Sequence, residues 1–311
     1  MILHKIWLSI FYTLLFVFSK RNLGRDVFFY SATKSDEPLG GLISNPSISV
    51  KNFLSMLEIL VVASHRYSIV AAHPYSVSLR ETGGSLMPTE DVLQPGHYDI
   101  HRGGMFSSSG TILITDEPCM TRIYSDAVSG DEHFRSEVRA RDGKCVITGT
   151  VNTRAYGGLW QGWDAVHVFP LSSEDQFLRE GLSQAIRNKV DDTTDTAINS
   201  CQNGLLMLSS VHQMFDDYEF SDDDYKIIFF GEDPLGLGGG KLDPICRDPG
   251  NEQSVRDDLL RWHFRQTVLV NMRGVGEPSF EIDFPPGSDM VGRMEAELFS
   301  RLNETSRANC H

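Results

Sequence analysis

Two short stretches of this 311-residue chain carry side chains that could do hydrolytic chemistry. In the first, Asp164-Ala165-Val166-His167-Val168-Phe169-Pro170-Leu171, a histidine stands in a run that reads as a strand stopped by proline. In the second, 199–216 (NSCQNGLLMLSSVHQMFD), Asn203-Gly204 precedes Leu205, Leu208, Val211 and Phe215 at helical spacing, so a helix is expected from just after Gly204. On such a helix His212 and Asp216, at i and i+4, share a face. In a regular strand Asp164 shares its face with Val166, because side chains alternate. A neutral imidazole near its ordinary pKa can take a proton from water at neutral pH. Carboxylates together with an imidazole suit Mg²⁺, Mn²⁺ or Zn²⁺ without choosing among them. Each stretch alone is a weak signal: a histidine between two valines is commonly a satisfied core residue, and Asn-Gly is a good turn or cap.

The ordered combination is more specific. Cys145-Val146-Ile147-Thr148-Gly149, then Ala165 to Leu171, Asn203-Gly204-Leu205-Leu206, and His212 with Phe215-Asp216 resemble the HNH nucleases, and more closely a fungal branch of them. Leu260-Arg261-Trp262-His263-Phe264-Arg265-Gln266 and Phe284-Pro285-Pro286-Gly287-Ser288-Asp289-Met290 resemble the same branch. The resemblance implies a metal-dependent endonuclease that hydrolyses phosphodiester bonds of DNA, or of RNA. It implies His167 as the general base, Asn203 as a positioning residue and His212 as a metal ligand; the nine-residue step from Asn203 to His212 matches the family's. One position departs. Many members place Asp or His immediately before the base histidine as a ligand, whereas Val166 stands here and cannot coordinate. Asp164 and Asp216 lie on the faces that could replace it, so the expected ligands of a single divalent cation are Asp164, His212 and Asp216, with waters completing the shell.

The element pattern gives an expected α+β fold, which the resemblance implies is a ββα-metal core, preceded by a small β-rich module and followed by a C-terminal helix. Residues 1–22 form a hydrophobic N-terminal segment, 23–125 the small module, and 133–302 the nuclease-like domain with its helical extension. In the module, 27–30, 68–71 and 111–115 read as strands between glycine- and proline-containing turns, and 52–63 has helical spacing. Further on, 134–141 reads as a helix and 144–149 as a strand ending in a glycine turn. Residues 218–221 and 225–230 read as a hairpin across Asp222-Asp223-Asp224, and 253–272 as a core-seeking helix. From Arg135 to Arg154 five basic residues face two acidic ones, a modest positive island whose plain reading is a solvated helix face. His263, between Trp262 and Phe264, reads as packing. Gly238-Gly239-Gly240-Lys241 lacks the spacing of a phosphate-binding loop.

Bulk composition limits the partners. Hydrophobic residues make up 41% and charged residues 23%, which is globular, but the formal net charge is −14. A broad electrostatic grip on nucleic acid needs clustered Lys and Arg, so nuclease chemistry here must rest on a local site, with little sequence specificity. The acidic charge and Val166 together support a second reading, an HNH-like scaffold that has lost cleavage and serves as a binding or interaction module. Five cysteines, at 119, 145, 201, 246 and 310, contain no C-x-x-C pair and read as buried free thiols, which favours a reducing compartment. Against that, Ile6 to Phe18 is an uninterrupted apolar run between Lys5 and Lys20. It lacks a small-residue cleavage site and falls short of the roughly 20 residues a spanning helix needs. Uncleaved anchor, signal peptide and misplaced reading-frame start stay open, and with them the localisation; membrane association is expected only through this segment.

Overall fold

A computed structural model describes residues 20–62, 75–102, 111–120, 122, 132–187, 197–274 and 276. The apolar run 6–18, the strand expected over 68–71, the 284–290 motif and Cys310 lie outside the described residues. Among those described, no helix is long and apolar enough to cross a membrane.

The N-terminal half is built on a four-stranded sheet of β1 (Val27–Ser31), β2 (Gly40–Leu42), β3 (Tyr75–Leu79) and β4 (Gly96–Arg102), in the order β2-β1-β4-β3. β1 runs antiparallel to β2 and parallel to β4, and β3 is antiparallel to β4. Alternation buries Val27, Phe29, Val77, Tyr98 and Ile100 together. Against them packs α1 (Val50–Leu60), whose Phe53, Met56, Leu57 and Leu60 form one apolar stripe. The helix starts at a capping box: Ser49 Oγ accepts from Asn52 N, and Asn52 Oδ1 accepts from Ser49 N at 3.1 Å. The strand expected over 111–115 is not formed; Ile114 makes only an isolated bridge to Val61. β2, β3 and β4 are sheet members that carry almost no apolar run to announce them.

The C-terminal half contains α2 (Glu132–Asp142), β5 (Trp163–His167), α3 (Glu174–Arg179), β6 (Gly204–Leu208), α4 (Ser209–Asp216), β7 (Phe220–Asp223), β8 (Lys226–Phe229) and α5 (Asp257–Met272). Two expectations are corrected. Residues 144–149 form a tight turn, with Gly149 N bonded to Cys145 O at 2.8 Å and Cys145 N to Thr150 O at 2.8 Å, not a strand. The helix expected from Gly204 begins at Ser209, because 204–208 is the strand that pairs with β5, from Trp163↔Leu208 to His167↔Gly204. Leu205, Leu206 and Met207 are all buried, and a continuous apolar run reads equally as a helix or as a strand buried on both faces. The resulting order is still strand, strand, helix. The β7–β8 hairpin forms as expected, turning through Asp224 and Tyr225, both at positive φ.

α5 joins the two halves. Leu259, Leu260 and Trp262 near its start belong to the core around β5, β6 and α4, while Phe264, Val268, Leu269 and Met272 belong to the core beneath the first sheet. Its end presses on β2 so closely that a Cβ on Gly40 would lie 2.1 Å from Met272 O. A strap over 111–120 runs from the end of α1 along α5, and Arg122 follows it. Thr115 N bonds Leu60 O at 2.7 Å, Arg265 pairs with Glu117, and Met120 N donates to Gln266 Oε1 at 2.8 Å. The strap delivers Arg122 to the β5–α4 region.

Candidate active site

His167 closes β5 opposite Gly204. The face of its ring lies on Phe134 of α2, with centroids 3.9 Å apart and planes 8° from parallel. This contact explains the glycine: a Cβ at Gly204 would lie 2.7 Å from Phe134 Cε2 and 2.5 Å from Val138 Cγ2. Gly204 has an ordinary extended backbone (φ −129°), so the requirement is space rather than conformation. His167 Nε2 hydrogen-bonds Asn199 Oδ1 at 3.1 Å. Because that oxygen accepts, Nε2 carries the proton and Nδ1 carries the lone pair. Burial pushes the imidazole down to about 4, so it is neutral at pH 7.

Asn203 is fully buried and acts on backbone. Its Oδ1 accepts from Phe169 N at 2.8 Å, and its Nδ2 donates to Phe169 O at 3.0 Å and Ile198 O at 2.9 Å. It ties the exit of β5 to the entry of β6, and its side-chain hydrogen bonds go to backbone rather than to the His167 ring. Arg141, one of the basic residues between 135 and 154, is buried rather than solvated. It pairs with Asp142 and donates to Cys201 O, Gln253 O and Gly204 O, while Asp142 Oδ2 accepts from Leu206 N at 2.9 Å.

His212, half-buried on α4, lies between two carboxylates. Its Nδ1 is 3.0 Å from Asp164 Oδ2 and its Nε2 3.0 Å from Asp216 Oδ2. Burial opposes protonation here, but the two carboxylates overcome it and raise the imidazole to about 9. Asp164 and Asp216 are both held below the usual carboxylate range despite burial, Asp164 through His212 and Asp216 through Arg122 and then His212. Arg122 completes the row: its Nε is 2.9 Å from Asp216 Oδ1, while Nη1 donates to Val168 O at 2.9 Å and Nη2 to His167 O at 2.6 Å. One buried guanidinium therefore grips both the strand of His167 and the helix of His212. Val166 is buried in the core.

All five residues singled out in the sequence, Asp164, His167, Asn203, His212 and Asp216, fall within this strand–strand–helix unit. Asp164 and Asp216 flank His212 on opposite nitrogens rather than converging on a common point. Among the described residues no three His, Cys, Asp or Glu side chains form a ready cation cage. The donor chemistry nonetheless fits one divalent cation, since Asp164 and His212 Nδ1 share a hydrogen-bonded proton that such an ion could replace. Two partners were not foreseen. Asn199 reaches His167 from 32 residues away and Arg122 from 45, and neither spacing has a periodic signature.

Residues 145–221 match the family described as HNH endonuclease, and residues 24–107 match a family described as a domain of unknown function. No curated protein and no solved structure matches the chain. The HNH endonuclease match begins at the Cys145 turn and covers β5, β6 and α4, and so includes Asp164, His167, Asn199, Asn203, His212 and Asp216, while Arg122 and the α2 residues Phe134, Val138, Arg141 and Asp142 lie outside it.

Proposed function

We propose that the HNH endonuclease segment makes this protein a metal-dependent phosphodiester hydrolase acting on DNA, or on RNA, with His167 as general base. The observation that carries the reading is the placement of the His167 ring, stacked on Phe134 and donating through Nε2 to Asn199, which puts the lone pair on Nδ1. In the proposed reaction Nδ1 takes a proton from water as the water oxygen bonds to phosphorus, and the bond to the departing 3′ oxygen breaks. Asn203 fixes the backbone on both sides of the ring.

Asp164 and His212 are the residues proposed to hold a divalent cation. When bound, the cation supplies charge neutralisation at the phosphate and at the departing oxygen. Asp216 stands behind the ring, accepting from Nε2 and so orienting the imidazole from the opposite edge, as carboxylates behind metal-binding histidines commonly do. The β5–β6–α4 unit then corresponds to the ββα-metal core, with the small module over 23–125 and the helical extension within 133–302 as its support.

A cation that binds only the folded chain must stabilise it, by about 2.7 kcal/mol at about 100 times its Kd. Mg²⁺, Mn²⁺ or Zn²⁺ is expected to raise the Tm of the wild type, and His212→Ala is expected to abolish the rise. If none of the three ions moves the Tm of the wild type, the degenerate binding module becomes the better account.

A further inference from the structure

The loop that leads into β5 presents an arrangement the cleavage chemistry does not use. Tyr156 is 96% exposed, and Val151 and Leu159 are exposed beside it in sequence. The loop holding it is fixed by its own hydrogen bonds: Asn152 Nδ2 donates to Leu159 O at 2.8 Å, Asn152 Oδ1 accepts from Arg154 N at 3.0 Å, and Gly158 N bonds Ala155 O at 2.9 Å. A ring held in solvent by a structured loop has both faces free. Further along, Trp160 lies beneath the guanidinium of Arg139, 4.8 Å from its ring centroid. Arg139 Nε has no hydrogen-bond partner among the described residues, and the guanidinium is near enough to Asp164 to feel its charge. Arg154 is exposed on the loop, and Arg135 stands one turn before Arg139 on α2. Against Arg135, Arg139 and Arg154 stand Glu132, which faces Arg135 and Arg139 at about 3.5 Å, and Asp164, so the flank carries a small positive excess in a chain of net charge −14. Trp163 N bonds Trp160 O at 3.0 Å, which passes the loop directly into the strand bearing Asp164 and His167.

We propose that this flank, formed by Tyr156, Trp160, Arg139 and Arg154, binds unpaired nucleic acid, with Tyr156 stacking on a base and the arginines facing phosphates. The proposal rests on the nuclease reading for the nature of its occupant. Three features support it. The flank is positive where the rest of the chain is acidic, which complements a phosphate backbone. An aromatic face in solvent suits a base outside a helix, whereas a base inside a duplex has both faces covered by its neighbours. The flank also adjoins the site, since the loop runs directly into β5 and Arg139 lies near enough to Asp164 to feel its charge.

The test is fluorescence anisotropy with a labelled oligothymidylate and with a duplex of equal length, in EDTA so that binding is read without cleavage. The wild type is expected to prefer the single strand, with a log–log salt slope of about −1.4 for the two phosphate contacts of Arg139 and Arg154. Tyr156→Ala, which removes no internal contact, is expected to weaken single-strand binding by about 5-fold or more. Arg154→Gln is expected to make the salt slope shallower by about 0.7. Unchanged binding by Tyr156→Ala, preference for the duplex, or no binding by the wild type would each overturn the proposal. Tight single-strand binding by a wild type that never cuts with Mg²⁺ or Mn²⁺ would leave this surface standing and remove the hydrolase reading instead.

Discussion

At the scale of single residues, the site is a set of side chains each held by a specific neighbour. His167 is positioned by Phe134 on its face and Asn199 at its Nε2, and His212 by Asp164 and Asp216 at its two nitrogens. Arg122 connects the two histidines, since its fork reaches His167 O, Val168 O and Asp216 together. A lysine keeps the charge but offers a single ammonium in place of the planar fork. Arg122→Lys is therefore expected to fold and to lose about 10–100-fold in divalent-cation affinity or in cleavage rate. Calorimetric titration with Mn²⁺ and a nicking assay check this; an unchanged affinity and rate would remove Arg122 from the machinery. His167, Asn203, His212, Asp164 and Asp216 were singled out in the sequence by motifs whose order and spacing resemble the HNH family, not by periodicity. Asn199 and Arg122 were not, because each arrives on an irregular segment whose path only the fold determines.

At the scale of elements, one glycine sets the relation between α2 and the β5–β6 pair. Gly204 leaves the space that Phe134 fills beneath His167, and Arg141 reinforces the contact by donating to Gly204 O at 2.6 Å. Gly204→Ala would drive a methyl into Phe134 and Val138. The expected cost is about 1–3 kcal/mol of stability, with a fall in cleavage rate as Phe134 moves off the imidazole. Chemical denaturation beside the nicking assay reads both, and unchanged values would contradict the packing described. The sequence announced β5, α1, α2, the β7–β8 hairpin and α5 through periodicity and turn residues. It misled at β6, where Leu205, Leu206 and Met207 are buried on both sides of the strand and so lack the alternation that marks a half-buried one. It was silent on β4, whose sequence GHYDIHR buries only Tyr98 and Ile100.

At the scale of the whole molecule, α5 and the strap over 111–120 make the two cores interdependent. His263 sits midway along α5, fully buried; its Nδ1 lies 2.8 Å from Ser221 Oγ and its Nε2 3.1 Å from Phe215 O, and its ring stacks on Phe215. Burial holds this histidine well below its ordinary value of 6.5. The unfolded chain takes up a proton on His263 below about pH 6.5 while the folded chain does not, so stability is full above that pH and falls as the pH drops through it. His263→Gln is expected to flatten the loss of stability between about pH 7 and pH 5, measured as Tm against pH. An equally steep loss in the variant would place the acid sensitivity elsewhere. Reading His263 as packing was possible from its apolar neighbours alone. That one helix serves both cores was not, because the sequence shows that α5 is buried but not against what.

Supercoiled plasmid directly tests the proposal that His167 is the base of a metal-dependent nuclease. Purified wild type and His167→Ala are incubated with the plasmid and Mg²⁺ or Mn²⁺, with EDTA as the control. Nicking by the wild type is expected to require the cation and to be lost in His167→Ala. Equal nicking by both proteins, or no cleavage of plasmid, single-stranded DNA or RNA by a folded wild type, would overturn the assignment.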